Sequence, residues 1–291
     1  MNVRAQWISL WITPFFAAIL LLAFLAFPGF RPPMSPEMSA EQVAAFYSQN
    51  TAMIRFSMIT FNLCAIMLIP FFMTIVLQIK RMSLPSQLLA YSYLCCIAGG
   101  ATLFAIADIF WLIAAFRPDR NPQLVLLLND MAWLVFTAPV GVVVVASLCL
   151  ALAIFLDARA EPVFPRGVAF FNIATAAAMT PAACAVIFRT GPLAWDGAVS
   201  FWLRIGAFAL NIAVMFVVVR AAIKQQASEE DAGDEVSPGT LADKAARCAA
   251  RFRRRRPSPR RPGAQCTGPA FPRSISASRG GRSRSSTTSS G

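Results

Sequence analysis

Four ionisable side chains stand in stretches that are otherwise apolar: Arg55, Asp108, Asp130 and Arg204. A charge at the centre of a membrane span costs ~2.5–3.5 kcal/mol on insertion scales, so residues of this kind are kept for a reason. They serve a ligand or ion pathway, or they neutralise one another as ion pairs. Two of the four are acidic and two basic, which is the pattern of a neutral, mutually paired cluster. Asp108 with Arg204 is the pairing the sequence predicts. Arg55 and Asp130 stand near the ends of their stretches, where a side chain can reach an interface or be hydrated. Asn62, Asn129 and Asn211 add polar groups at differing depths. Asp108 and Asp130 together would be the one intramembrane acid pair available for proton chemistry.

Two connecting segments add candidates for ligand contact. The first reads Phe116-Arg117-Pro118-Asp119-Arg120-Asn121-Pro122 and leads to Leu128-Asn129-Asp130-Met131-Ala132-Trp133. The second runs from Phe188 and Arg189 through Trp195, Asp196 and Gly197 to Phe201 and Trp202. Arg117, Arg120, Asn129, Trp133, Arg189, Trp195 and Asp196 are the loop candidates. One reading is an outward-facing pocket lined by tryptophan and closed by Arg–Asp pairs, suited to a small amphiphile or a lipid head group. The other is an aromatic belt, in which Trp111, Trp133, Trp195 and Trp202 mark one membrane interface and Trp7 and Trp11 the other.

What is missing narrows the chemistry. The chain has no histidine, which excludes His-ligated haem, His-containing zinc sites and His-based acid–base catalysis. It contains no G-x-S-x-G, no phosphate-binding loop and no H-E-x-x-H. The seven cysteines form no CxxC pair. Cys64, Cys95, Cys96, Cys149 and Cys184 lie in apolar stretches, where cysteine behaves as a small hydrophobe. No cofactor and no metal site is expected, and an enzyme is the least supported class.

The elements that must position these residues follow from composition. Hydrophobic residues make up 57% of the chain and charged residues 14%, against roughly a quarter charged in soluble domains. Six apolar stretches, at about 7–27, 53–78, 88–115, 131–156, 167–188 and 198–220, match or exceed the ~20 residues that cross a bilayer. Lipid offers no partners to peptide groups, so each stretch must be a helix. The fold class is therefore all-α, a polytopic transmembrane helix bundle with six spans over residues 1–225. The first stretch reads as a retained span and not a signal peptide, because its apolar run is long and no small-x-small cleavage site follows.

Loop charge sets the orientation. An inside N-terminus places Arg4, Lys80, Arg81, Arg159, Arg166, Arg220 and Lys224 in the cytoplasm and Arg31, Arg117, Arg120 and Arg189 outside. Seven against four favours both termini inside. In the first loop Ser39-Ala40-Glu41-Gln42 is a capping-box pattern, followed by Val43, Phe46 and Tyr47 at helical spacing. It reads either as a short amphipathic helix on the membrane surface or as a solvated connector. Pro70, Pro139 and Pro181 fall mid-span, with Pro14 near the start of the first helix, and each should bend its helix. Ala174, Ala178 and Ala182 suggest a small-residue face that places the fifth span centrally.

Residues 226–291 read as a disordered tail, acidic and then arginine-rich. Residues 244–291 carry 13 basic residues and no acid, and residues 1–243 carry 13 basic and 14 acidic, so the net charge of +12 belongs to the last 48 positions. Such a run binds anionic lipid or nucleic acid, is inert, or is the out-of-frame translation of GC-rich DNA. Its abrupt composition favours an inert or artefactual segment. Phe252 and Phe271 are its only aromatics, too few for single-strand stacking, so nucleic acid is not the expected partner.

Three segments resemble an uncharacterised group of bacterial multi-pass inner-membrane proteins. They are FRPDRNP…LLNDMAW over 116–133, VFPRGVAFFN over 163–172 and FRTGPLAWDG…FW over 188–202. The resemblance covers about residues 1–225 and leaves out the tail. It implies a bacterial cytoplasmic membrane and a common six-helix design, with no assigned activity. Kinked helices, intramembrane charges and little soluble mass lead to small-molecule or lipid transport or binding. No inverted repeat is visible. The other reading is a non-transporting accessory, sensor or scaffold subunit. Expected partners are the lipid bilayer, a second copy of the chain or a membrane subunit.

Overall fold

The computed structural model describes residues 3–236, with side chains described through residue 232. Eight α-helices follow one another in this part: α1 (Val3–Ala26), α2 (Ala40–Ile66), α3 (Ile69–Arg81), α4 (Leu88–Phe116), α5 (Pro122–Thr137), α6 (Gly141–Leu156), α7 (Arg166–Met179) and α8 (Arg204–Val236). A 3₁₀ segment, Thr180–Val186, extends α7, and a π-helical turn, Ala198–Leu203, precedes α8. They compose six helices long and apolar enough to span a membrane. Two spans are each made of two helices, α2 with α3 and α5 with α6. The protein is a six-span transmembrane helix bundle.

Proline explains where the spans break. Pro70 occupies the first turn of α3, where a missing N–H costs nothing, and α2 stops four residues earlier at Ile66. Pro139 lies between α5 and α6, and Pro181 lies in the 3₁₀ segment. Pro14 behaves differently. It lies inside α1, which runs unbroken from Val3 to Ala26.

The interior is packed in two large layers, with a smaller cluster of Val140, Met179 and Ala182 besides. One, toward the face that carries Val3 and Val236, contains Leu10, Phe71, Ile79, Leu150, Phe164 and Ile223. The other, toward the opposite loops, contains Phe30, Tyr47, Trp111, Trp133, Trp195 and Phe201. We call these faces terminal and loop. Outside, large apolar side chains such as Phe15, Phe56, Leu152 and Val217 are exposed. That is the surface a bilayer covers.

Several expectations change. The capping box forms, with the Gln42 amide donating to Ser39 Oγ at 3.3 Å and the Ser39 amide to Gln42 Oε1 at 2.8 Å. It opens α2 itself, which is continuous from Ala40. The segment read either as a surface helix or as a solvated connector is thus the first turns of the second span, and Val43 and Tyr47 are buried within the bundle. On α7 the buried residues are Val168, Ala169, Asn172, Thr175, Ala176 and Met179. Ala174 is exposed, and the change to 3₁₀ at Thr180 ends the four-residue register before Ala182. α7 packs mainly on α6 and α8, and α4, which meets α2, α3, α5 and α6, is the more central helix. Finally, α8 continues to Val236, so the boundary placed after residue 225 falls within a helix. The rest of the tail lies outside the described residues.

Candidate functional site

Arg204 begins α8 directly after the π-helical turn, and it is nine-tenths buried. The irregular backbone around it accounts for how it is held. In a regular helix the Ser200 carbonyl would accept from the Arg204 amide. Here that amide bonds the Phe201 carbonyl instead, and Arg204 Nε takes the spared Ser200 oxygen at 3.1 Å. The break at Pro139 repeats the pattern. The Val140 amide turns to Ala138, which leaves the Phe136 carbonyl to Arg204 Nη1 at 3.1 Å. The guanidinium also lies over the Phe136 ring, 4.4 Å from its centroid. Carbonyls freed by helix interruptions inside a membrane must be satisfied by neighbours, and Arg204 satisfies two. Its Nη2 has no partner and no exposure.

Asp108 does not pair with it. The carboxyl is fully buried and both of its oxygens are without a hydrogen-bond partner. The Asp108–Arg204 ion pair expected from the sequence is therefore absent, because backbone carbonyls and an aromatic face take the place of the carboxylate. Ser57 Oγ, Trp111 Nε1, Trp133 Nε1 and Thr137 Oγ1 are also buried without partners. Of these, Trp111 and Trp133 belong to the loop-face layer.

A cavity of about 420 Å³ lies at mid-depth in the bundle. It borders each interrupted span: Leu68 and Ile69 at the first break, Pro139 and Val140 at the second, Met179 at the third. Arg204 and Asn62 are the polar side chains among walls that are otherwise almost wholly apolar. Its rim includes Leu21 and Ile66, 58% and 45% exposed, on the surface that faces lipid.

The remaining candidates are structural in their contacts. Arg55 is exposed and caps α4, its Nη2 donating to the carbonyls of Ala115 and Phe116 at 2.9 and 3.1 Å. Asn129 accepts from the Tyr47 hydroxyl at 3.1 Å inside the bundle. Asp130, half-buried, has Arg189 as its electrostatic neighbour. Arg189 also donates to the Pro36 carbonyl at 3.3 Å, and Trp195 Nε1 to the Met34 carbonyl at 2.8 Å, so the 188–197 loop is fastened to the 27–39 loop. Gly197 permits that fold, since a Cβ there would overlap the Pro192 carbonyl. Asp196, in the same loop, has its carboxyl pushed above the usual range, by burial first and by the nearby Glu37 carboxylate as well. Arg117 is exposed beside the Phe116 ring, and Arg120 is half-buried.

Neither reading of the tryptophans holds for three of the six. Trp111, Trp133 and Trp195 are buried and packed on one another, with ring centroids 5.5 Å apart for the first pair and 6.2 Å for the second. They form a plug rather than a belt or a pocket wall, and none of them lines the cavity. Trp11 and Trp202 are exposed as belt residues would be.

Sequence reasoning missed a second polar constellation at the terminal face. Gln6, Gln78 and Gln226 are buried and mutually bonded: Gln78 Nε2 donates to Gln6 Oε1 at 2.6 Å and to Gln226 Oε1 at 3.1 Å, and Gln6 Nε2 to Gln226 Oε1 at 3.1 Å. Beside them Glu229 bridges Arg81 at 2.9 Å and Arg159 at 2.7 Å. Asp157 accepts amides from Ser83, Arg159 and Val163, tying the two loops together. The available signal was three glutamines near the ends of apolar runs, but pairing across 72 to 220 positions is not readable from spacing.

Comparison with protein-family models, with curated proteins and with solved structures gives no match, so the site stands on its own chemistry.

Proposed function

We propose that this multi-pass membrane protein binds, and moves within or across the bilayer, a small lipid-like molecule held in the mid-depth cavity. The observation that carries the reading is an apolar chamber of about 420 Å³ with the nine-tenths-buried Arg204 among its lining residues and a rim at the lipid-facing surface. That volume is within the ~300–1,000 Å³ typical of pockets for one small ligand. Packed layers lie on both sides: the glutamine and Glu229 network on the terminal side, the tryptophan plug on the loop side. A ligand enters such a chamber from lipid more readily than from water. The earlier expectation of an outward pocket at the loops gives way to a site deeper in the bundle.

The same reading places the chain in a bacterial inner membrane, as the resemblance of the 116–133, 163–172 and 188–202 segments implies, with both termini cytoplasmic. The terminal-face residues Lys80, Arg81, Arg159 and Arg166 support that orientation.

The test is ligand-dependent thermal stabilisation of the protein in nanodiscs, using a panel of single-chain alkyl compounds. A saturable rise in unfolding temperature is expected, and Ala101→Phe, which fills the cavity wall, should abolish it. A scaffold or accessory subunit without a ligand would show no saturable rise with any compound.

A further inference from the structure

We infer that the ligand is an anionic single-chain amphiphile whose carboxylate or phosphate head sits at Arg204 while its alkyl chain fills the apolar cavity. This rests on the cavity reading above and adds the chemistry of the head group. Two independent observations lead to it.

The first is charge. Arg204 is nine-tenths buried, within the sixth span of the bundle, and no described acid pairs with it. The Ser200 and Phe136 carbonyls and the Phe136 ring hold the guanidinium in place, but dipoles and a quadrupole do not neutralise a full charge. Nη2 remains as a buried donor with no acceptor. An anionic head at the guanidinium of Arg204, a lining residue of the cavity, would supply the missing charge. Nε and one N–H of Nη1 are engaged, so the guanidinium is held in a fixed orientation with further N–H groups to donate, and binding loses little rotamer freedom.

The second is shape and access. The walls of the cavity are contributed by apolar side chains such as Phe72, Ile97, Phe104, Val143 and Phe208. A compact hydrophilic anion would leave that surface uncovered, whereas an alkyl chain covers it. The volume suits one chain and not the two chains of a bilayer phospholipid. Exposed Leu21 and Ile66 at the rim give an entrance from the hydrocarbon, where amphiphiles are concentrated.

The experiment uses the full chain in nanodiscs of a neutral phospholipid. Dodecanoate, dodecyl phosphate and dodecanol are titrated separately, and binding is followed by thermal shift and by displacement of a radiolabelled fatty acid. Saturable binding is expected, with dodecanoate or dodecyl phosphate at least tenfold tighter than dodecanol. The ratio between the two anions separates a free fatty acid from a phosphate-headed lipid as the source of the head. Arg204→Gln should erase the preference for anions, and Arg204→Lys, which keeps the charge, should retain part of it. If Arg204→Gln does not fold, the comparison of anion with alcohol on the unaltered protein and on Arg204→Lys decides the matter. Equal affinity for dodecanol and the anions would overturn the head-group assignment and leave the cavity reading standing. Absence of saturable binding by all three would overturn both.

Discussion

Arg204 shows how a charge persists in a membrane interior without a counter-charge on the protein. Two backbone carbonyls, each released where a helix departs from regular geometry, accept from it, and an aromatic face covers it. Asp108 is held otherwise, fully buried with both oxygens unpartnered. The two sites should therefore be energetically independent. In a double-mutant cycle of Asp108→Asn with Arg204→Gln, followed by thermal or denaturant unfolding, the coupling should be below ~0.5 kcal/mol, as for sites without a shared contact. Coupling above about 1 kcal/mol would mean that the two side chains meet.

Among the elements, the paired helices α2–α3 and α5–α6 and the α7–3₁₀ span break at or beside proline, and the cavity borders all three breaks. Below them the terminal face is held by two kinds of polar contact, which should differ in worth. Replacing Gln78 with leucine takes the donor from the buried Gln6 Oε1, a loss of about 2 kcal/mol on the scale of unsatisfied buried groups. Replacing Glu229 with glutamine removes two ion pairs from a carboxylate that is 36% exposed, and solvent-screened pairs of this kind are worth about 1 kcal/mol or less. Unfolding in detergent should rank Gln78→Leu as the more damaging, and only the Glu229→Gln deficit should shrink with added salt. The reverse ranking would contradict the packing described here.

The same scale shows what the sequence made legible. Apolar run length located all six spans, because lipid leaves a greasy segment no alternative to helix. Proline gave the breaks at residues 70, 139 and 181, though Pro14 is accommodated without one. Arg204 was legible as an intramembrane charge. Its partners were not, since Ser200 and Phe136 contribute backbone oxygens whose freedom depends on a π-helical turn and a helix break, and neither has a residue signature. The Trp111–Trp133–Trp195 plug escaped notice for a related reason: tryptophan is at home both at an interface and in a core, and composition does not separate them.

For the molecule as a whole, α8 carries the last contacts of the bundle, Gln226 and Glu229, beyond the point where hydropathy falls away. Ending the chain at Val236 and attaching there a fluorescent reporter that matures only in the cytoplasm should give a bright, membrane-inserted protein of unchanged thermal stability. Ending it at Gln225 should lower the unfolding temperature, since both contacts are lost. A dark reporter would reverse the orientation proposed above, and equal stability of the two shortened chains would place the end of the bundle at residue 225 after all.

The proposed function requires the mid-depth cavity to be a lipid-accessible binding site. A fatty acid with a photoactivatable group midway along its chain, irradiated with the protein in nanodiscs and mapped by peptide mass spectrometry, examines that directly. Cross-links concentrated on Ala101, Phe104, Val143 and Phe208, and suppressed by excess dodecanoate, are the predicted result. Cross-links confined to the outward-facing Phe15, Leu152 and Val217, and unaffected by competitor, would show that the chain meets fatty acids only as bulk lipid.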